Sequence, residues 1–92
     1  MFNFYVVSYD LRLIKDYVKV KEAIDQFSAD WIKPLDSFYI IKTRLDAAQV
    51  RESLMRSTDN DNSVFVVRVN LNEWASYGAK TELTDKIKDW ML

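Results

Sequence analysis

The residue that most directly suggests chemistry is Asp10, which closes the apolar, β-branched run YVVSYDL at residues 5–11. A carboxylate at the end of a strand can cap a turn or the next helix, or it can bind a cation. If Asp10 meets its own copy across a dimer axis, two carboxylates about 5 Å apart repel by roughly 3 kcal/mol at an effective dielectric near 20. A shared proton, a basic neighbour or a divalent metal must offset that repulsion.

The composition restricts the chemistry that this carboxylate can join. The 92 residues include neither cysteine nor histidine, which excludes disulfides, thiolate metal sites and the commonest general base. A bound metal would need oxygen ligands, which favours Mg²⁺, Mn²⁺ or Ca²⁺. Ser8 has no histidine partner and is not a conventional serine nucleophile. The single glycine, Gly78, excludes a P-loop and a dinucleotide-binding motif.

Basic residues near the expected strand ends form a second group of candidates. A net charge of −1 gives no overall attraction to nucleic acid, but it permits a local basic patch. Clustering of these side chains on one face would favour nucleic acid, and dispersal would favour ordinary solvated charge or a protein partner. The group consists of Arg12, Lys15, Lys42, Arg44 and Arg68.

Two other patterns favour a structural interpretation. Residues 59–62, DNDN, place oxygen ligands at alternate positions but lack the glycine and the distal glutamate of a calcium loop, so we interpret them as a solvated turn. Each tryptophan lies within an apolar pattern and is expected in the core or in a dimer contact: Trp31, Trp74 and Trp90.

The elements that must position these residues follow from periodicity and capping signals. Strands are predicted at 2–9, 30–33, 38–43 and 64–69, and helices at 16–28, 46–56 and from Thr81 or Thr84. Asp16 is the candidate N-cap of the first helix, and Asp46 with Gln49 forms a capping box for the second. Pro34 is expected to end the second strand.

The predicted order is β-α-β-β-α-β with a C-terminal extension, in a single domain of residues 1–92 with its core at 2–70 and the extension at 71–92. This order is typical of an α+β, ferredoxin-like fold, an antiparallel sheet with both helices on one face. The other face needs cover from the extension, a second subunit or both. Hydrophobic residues make up 49% of so short a chain, which favours a homodimer. No apolar run is long enough to cross a membrane and no signal-peptide pattern is present, so we expect a cytoplasmic protein.

Several short motifs resemble one superfamily of small proteins. The start YVVSYDL resembles the first strand of the smaller core CRISPR adaptation protein, which ends in Tyr-Asp. It is also similar to the endoribonuclease antitoxin of type V toxin–antitoxin systems, whose middle resembles residues 37–48, SFYIIKTRLDAA, in hydrophobic placement. Uncharacterised bacterial and phage members share an SYDL start, an LDS turn and a VFVV strand leading to a Trp. The resemblance covers about residues 3–70.

The resemblance implies a role for Asp10. In the CRISPR adaptation family a strand-end Asp from each subunit flanks a metal at the dimer axis, so Asp10 is implied as catalytic residue and as ligand of Mg²⁺ or Mn²⁺. The arginine-rich start of the first helix in that family is reduced here to Arg12 and Lys15.

Two hypotheses follow from the sequence. The first is a homodimer that binds nucleic acid, and cuts it as a metal-dependent endonuclease through Asp10, with Arg12, Lys15 and Arg44 on phosphates. The second is a non-catalytic protein-interaction or regulatory module in a toxin–antitoxin, CRISPR or phage-defence system. The strand-end aspartate supports the first hypothesis, and the absence of histidine, the commonest general base, supports the second.

Overall fold

The structure, a computed structural model, describes residues 1–11, 14–58 and 62–92, and of Ile14 and Lys15 it describes only the backbone. The elements follow the predicted order, and their bounds agree with the predicted ones within two residues. They are β1 (Asn3–Asp10), α1 (Ile14–Phe27), β2 (Asp30–Leu35), β3 (Phe38–Thr43), α2 (Ala47–Ser57), β4 (Ser63–Arg68) and α3 (Thr81–Trp90).

The four strands form one antiparallel sheet in the order β2-β3-β1-β4. The predicted α+β, ferredoxin-like fold is therefore confirmed, with β1 in the centre between β3 and β4. A central strand contacts other layers on both of its faces. This explains why both alternating sets of β1, Tyr5-Val7-Tyr9 and Phe4-Val6, are apolar. Val6 pairs with Ile40 of β3 and with Val67 of β4, and this register decides which side chains share a face.

The main core lies between the sheet and the helices α1 and α2. Tyr5, Val7 and Tyr9 of β1 project to this side, where the fully buried Val20 and Ile24 of α1 contact them. The second helix adds Val50 and Leu54, which are also fully buried. Full burial of each aliphatic side chain stabilises the fold by about 1.5–3 kcal/mol, so this side carries most of the stabilisation.

The start of α2 has the predicted capping box. The Asp46 side chain accepts a hydrogen bond from the Gln49 backbone N–H at 2.8 Å, and Gln49 Oε1 accepts one from the Asp46 N–H at 2.9 Å. Leu45 packs against the same cluster that contains Val50, in agreement with a hydrophobic staple. Local sequence therefore sets the beginning of this helix.

Two local predictions are wrong. Asp16 does not cap α1, because the helix begins at Ile14 and Asp16 is its third residue, fully buried, where Oδ2 accepts a hydrogen bond from Asn62 Nδ2 at 2.8 Å. Pro34 does not end β2, which continues to Leu35. This strand lies at the edge of the sheet and its ladder with β3 is irregular between Ile32 and Leu35, so the missing proline N–H breaks no regular pairing.

The C-terminal extension covers part of the opposite face of the sheet. Ile87 of α3 and Leu71 bury Ile32 of β2, with Leu83 and Trp90 packed around them as the sequence predicted. None of the helices in the described ranges is long and apolar enough to span a lipid bilayer.

A polar clasp on Asp30 fastens α3 to the edge strand. Asp30 Oδ1 accepts hydrogen bonds from Lys86 Nζ and from the Trp31 backbone N–H, both at 2.9 Å, and Oδ2 accepts one from Trp90 Nε1 at 2.9 Å. Partial burial raises the pKa of the Asp30 carboxyl, but these hydrogen bonds outweigh burial and hold the pKa below its usual value of 3.8.

Loss of the α2 capping box should be measurable as a loss of stability. We expect Asp46→Ala to lower the free energy of unfolding by about 1 kcal/mol, because the Gln49 N–H loses its acceptor at the helix start. Urea denaturation measures the effect. Asp46→Asn is the matched control, since asparagine caps helices as well as aspartate does, and an equal loss in that variant would contradict the capping role.

The clasp should also depend on pH. Because the folded-state pKa of Asp30 lies below its unfolded-state value, its contribution is fully present above the unfolded pKa and is lost as pH falls through the folded pKa. We expect Asp30→Asn to lower the free energy of unfolding by about 1 kcal/mol at neutral pH, since the clasp is partly exposed. The deficit relative to wild type should stay constant down to about pH 4 and shrink below it.

Urea denaturation of both proteins across the pH range measures this deficit. Asp85→Asn removes an exposed carboxylate from α3 and serves as control. A deficit that does not change with pH would contradict the clasp.

Candidate functional site

Asp10 is the last residue of β1 and its side chain is exposed. It pairs with Ser63 of β4, and strand alternation directs it to the face opposite α1 and α2, since its neighbour Tyr9 is buried on the helix side. Asp10 lies four residues before Ile14, the first residue of α1, so it is not the residue directly before that helix and does not fit the N-cap position. The exposed carboxylate of Asp10 is therefore not explained as the cap of α1.

The surface beside Asp10 is apolar and uncovered. Phe65 and Val67 of β4 are 70% and 41% exposed, although they are large hydrophobic residues within a regular strand. Val6 is half-buried between β3 and β4 on the same side. We call this surface the open face; it consists of Val6, Ser8, Asp10, Ser63, Phe65 and Val67. A contiguous exposed apolar patch rimmed by polar residues is typical of an interaction site.

Among the described basic candidates, Lys42, Arg44 and Arg68 do not lie beside Asp10. Arg44 follows β3, whose last residue Thr43 pairs with Asn3, at the opposite end of β1 from Asp10. Seven residues separate the two ends of the strand, a distance of about 23 Å. Arg44 and Asp10 lie far apart because antiparallel pairing places the C-terminal ends of neighbouring strands at opposite ends of the sheet.

The remaining charged candidates have different outcomes. Arg68 is exposed and pairs with Tyr5, in the half of β1 away from Asp10. Arg12 and residues 59–61 of the DNDN segment lie outside the described residues, as does the side chain of Lys15. Their proposed roles remain predictions.

At the far end of the sheet, two cations lie against one aromatic ring. Lys42 Nζ and the Arg44 guanidinium carbon are each 4.7 Å from the centroid of the Phe2 ring, within cation–π range. We call Phe2, Lys42 and Arg44 the Phe2 cluster. The sequence predicts Phe2 only as part of a strand. The contact follows from the antiparallel register that pairs Phe4 with Lys42, which no local signal in the sequence specifies.

Tyr9, the residue before Asp10, is structural. Its ring lies 6.0 Å from that of Tyr39 and 5.8 Å from that of Tyr17, on the helix side of the sheet. Burial raises the pKa of the Tyr9 hydroxyl far above its usual value, and the neighbouring tyrosines Tyr39 and Tyr17 raise it further. The Tyr9 hydroxyl therefore stays protonated and does not serve as a base near neutral pH.

The open face of one chain offers oxygen donors to a cation. Within the described part of the chain, no three acidic side chains cluster into a metal site. One copy offers the Asp10 carboxylate, with the hydroxyl-bearing residues Ser8 and Ser63 on the same face. Mg²⁺ is commonly held by one or two carboxylates, with water and phosphate oxygens as further ligands, so Asp10 has the chemistry of one such ligand.

Comparison with known proteins adds support for the fold. No protein-family model and no curated protein matches the sequence. Among solved structures, the crystal structure of a hypothetical protein TT1823 from Thermus thermophilus is similar, with a TM-score of 0.64. The match covers 86% of this chain and 94% of that chain at 17% sequence identity. At this identity the likeness shows a shared fold alone.

Proposed function

We propose that the protein is a homodimer that binds nucleic acid and cleaves it with a divalent metal, Mg²⁺ or Mn²⁺, held by Asp10 of two copies. The observation that carries this proposal is the position of Asp10, exposed at the rim of the uncovered apolar open face. A second copy that covers this face buries its apolar centre and brings a second carboxylate to the same end of the sheet. The resemblance of the SYDL segment to the smaller core CRISPR adaptation protein supports the same arrangement.

The metal accounts for two features of the site. Paired aspartates repel each other, and a divalent ion between them offsets the repulsion. When bound, Mg²⁺ or Mn²⁺ lowers the pKa of a coordinated water and stabilises negative charge on a phosphodiester. This chain has no histidine to act as general base, so the metal would take over the activation of water. Asp10 holds and orients the ion, and Ser8 and Ser63 are positioned to hydrogen-bond to water or phosphate oxygens at this rim.

The Phe2 cluster is the proposed contact with the nucleic-acid backbone. Arg44 is exposed, and Lys42 and Phe2 are half-buried, so both cations can reach phosphate while their stems stay against the ring. A dimer carries two such clusters. Arg12 and Lys15, which follow Asp10 in the sequence, are the other proposed phosphate contacts.

One observation favours the second hypothesis, a non-catalytic interaction or regulatory module. Within the described residues, the basic cluster and Asp10 lie at opposite ends of β1, so a phosphate held by Arg44 is about 23 Å from the carboxylate. A protein partner on the open face would then be the main ligand. Toxin–antitoxin, CRISPR and phage-defence systems are the proposed settings for either function.

Replacement of Asp10 by asparagine separates catalysis from structure. We expect Asp10→Asn to abolish Mg²⁺- or Mn²⁺-dependent cleavage of nucleic acid, since it removes the metal-binding charge and keeps the shape. The melting temperature should stay nearly unchanged or rise slightly, because repulsion between paired carboxylates is relieved. Nuclease assays with single- and double-stranded DNA and RNA, with and without the metal, and differential scanning fluorimetry measure the two effects.

The control is Asp36→Asn, which removes an exposed carboxylate from the turn between β2 and β3. Metal-dependent cleavage that survives in carefully purified Asp10→Asn protein would rule out the catalytic role. A parent protein that cleaves none of these substrates would contradict the nuclease proposal and leave the interaction module as the remaining hypothesis.

The Phe2 cluster should determine salt-dependent binding of nucleic acid. We expect the double variant Lys42→Gln/Arg44→Gln to weaken binding at low salt and to reduce the slope of log K against log salt by about 0.7–0.9 for each lost phosphate contact. Fluorescence anisotropy with a labelled oligonucleotide at several salt concentrations measures both. Lys80→Gln/Lys88→Gln removes the same charge elsewhere, and an equal effect in that control would mean that only net charge matters.

A further inference from the structure

An apolar cavity lies on the same face of the sheet as Asp10. Its volume is about 390 Å³, and it is enclosed between strands β2 and β3 and the C-terminal extension. Its lining includes Phe38 and Ile40 of β3, Ile87 of α3, and Trp74 and Tyr77 of the extension. None of the described residues that line it is charged. Since an apolar cavity of about 150 Å³ accommodates benzene, this one has room for an aromatic side chain.

An aromatic side chain that could fill such a cavity projects from the same face. Phe65 of β4 is 70% exposed in the single chain. Ser8 of β1 pairs with Phe65 on one side and with Phe38 on the other, so the projecting ring and the cavity wall lie at the same height along the strands. They are one strand spacing, about 4.8 Å, to either side of β1. Phe65 therefore cannot enter the cavity of its own chain. It lies as far from β1 on one side as the cavity wall at Phe38 lies on the other.

A twofold axis parallel to β1 and above it relates these two features. This rotation superposes β4 of one copy on β3 of the other without a shift along the strands. Phe65 of each copy then lies over Phe38 of the other, at the cavity, and the contact is isologous. The same axis places Asp10, which is on β1, opposite Asp10 of the second copy.

We infer that the open face is covered by a second copy of this chain in this orientation, with Phe65 of each copy inserted into the cavity of the other. The inference rests on the proposed homodimer and specifies how it assembles. Trp74 and Tyr77 provide aromatic contacts to the inserted ring, and Tyr77, which is fully exposed in the single chain, gains a packing partner.

The charge pattern also fits a second copy. On this face of β1, β3 and β4, the charged residues are Asp10 at one end and Lys42 at the other, with apolar and hydroxyl side chains between them. An apolar centre with a polar rim is the usual anatomy of a protein–protein interface. A projection and a cavity on one surface, at equal height and on opposite sides of the central strand, are complementary to a copy of themselves.

Site-specific cross-linking tests the orientation, because the chain has no cysteine of its own. We expect Phe65→Cys protein mixed with Ser76→Cys protein to give a covalent heterodimer with a short bismaleimide, since Ser76 lines the cavity. This mixed dimer keeps one Phe65 in place. Met55→Cys on the exposed side of α2, mixed with Ser76→Cys, should give no such product.

Removal of the projecting ring tests the energetics. We expect Phe65→Ser to raise the dimer dissociation constant by about a hundredfold, because two buried phenyl rings are lost per dimer. Its monomer should fold normally, as the side chain is exposed there. Sedimentation velocity measures the constant, circular dichroism checks the fold, and Met55→Ser is the control.

The outcomes separate this inference from the proposed function. A wild-type dimer that Phe65→Ser leaves intact, or that does not cross-link through residues 65 and 76, overturns the orientation and leaves the proposed homodimer standing. A wild-type protein that is monomeric at micromolar and higher concentrations overturns both.

Discussion

The structure depends on one constraint, which is that the central strand β1 is apolar on both faces and needs cover on both. Helices α1 and α2 cover one face completely, with Tyr5 and Val7 at most 2% exposed. The extension covers only part of the other face: it buries Ile32 of β2, and Trp90 packs on Phe4 near the start of β1. The side chains of Phe65 and Val67 remain exposed on this face. Burial of their apolar surface is the driving force for the proposed dimer.

The same alternation along β1 separates structural from chemical residues. Tyr9 and Asp10 are adjacent in sequence but project to opposite faces, so the tyrosine hydroxyl is buried with other aromatic rings while the carboxylate reaches solvent. A strand whose last two residues differ in this way can hold a charged group rigidly without placing it in the core. That rigidity is what a metal ligand or a binding contact on a sheet requires.

The antiparallel strand order then distributes the charges. It places the Phe2 cluster at one end of the sheet and Asp10 at the other, so a nucleic acid that touches both must extend along the strands. The clasp on Asp30 is a third polar group with a different role, because it fixes α3 over the edge strand and thereby shapes the cavity beneath residues 74–79. Asp10, the Phe2 cluster and the Asp30 clasp thus lie around the apolar centre of this face of the sheet.

Much of this arrangement is determined by local sequence. Periodicity and the Asp46–Gln49 capping box suffice for the elements, their order and the fold, because these signals act within a few residues of the chain. Tertiary structure decides the environment of two residues that local signals cannot. Pro34 is tolerated within β2 because β2 is an edge strand. Asp16 is buried within α1, where it accepts a hydrogen bond from Asn62, which is distant in sequence. The candidate site was predictable only as single residues. Asp10 borders an open apolar face, and Arg44 lies a full strand length away beside Phe2. Both positions depend on strand register, which arises from contacts between residues about thirty to sixty positions apart.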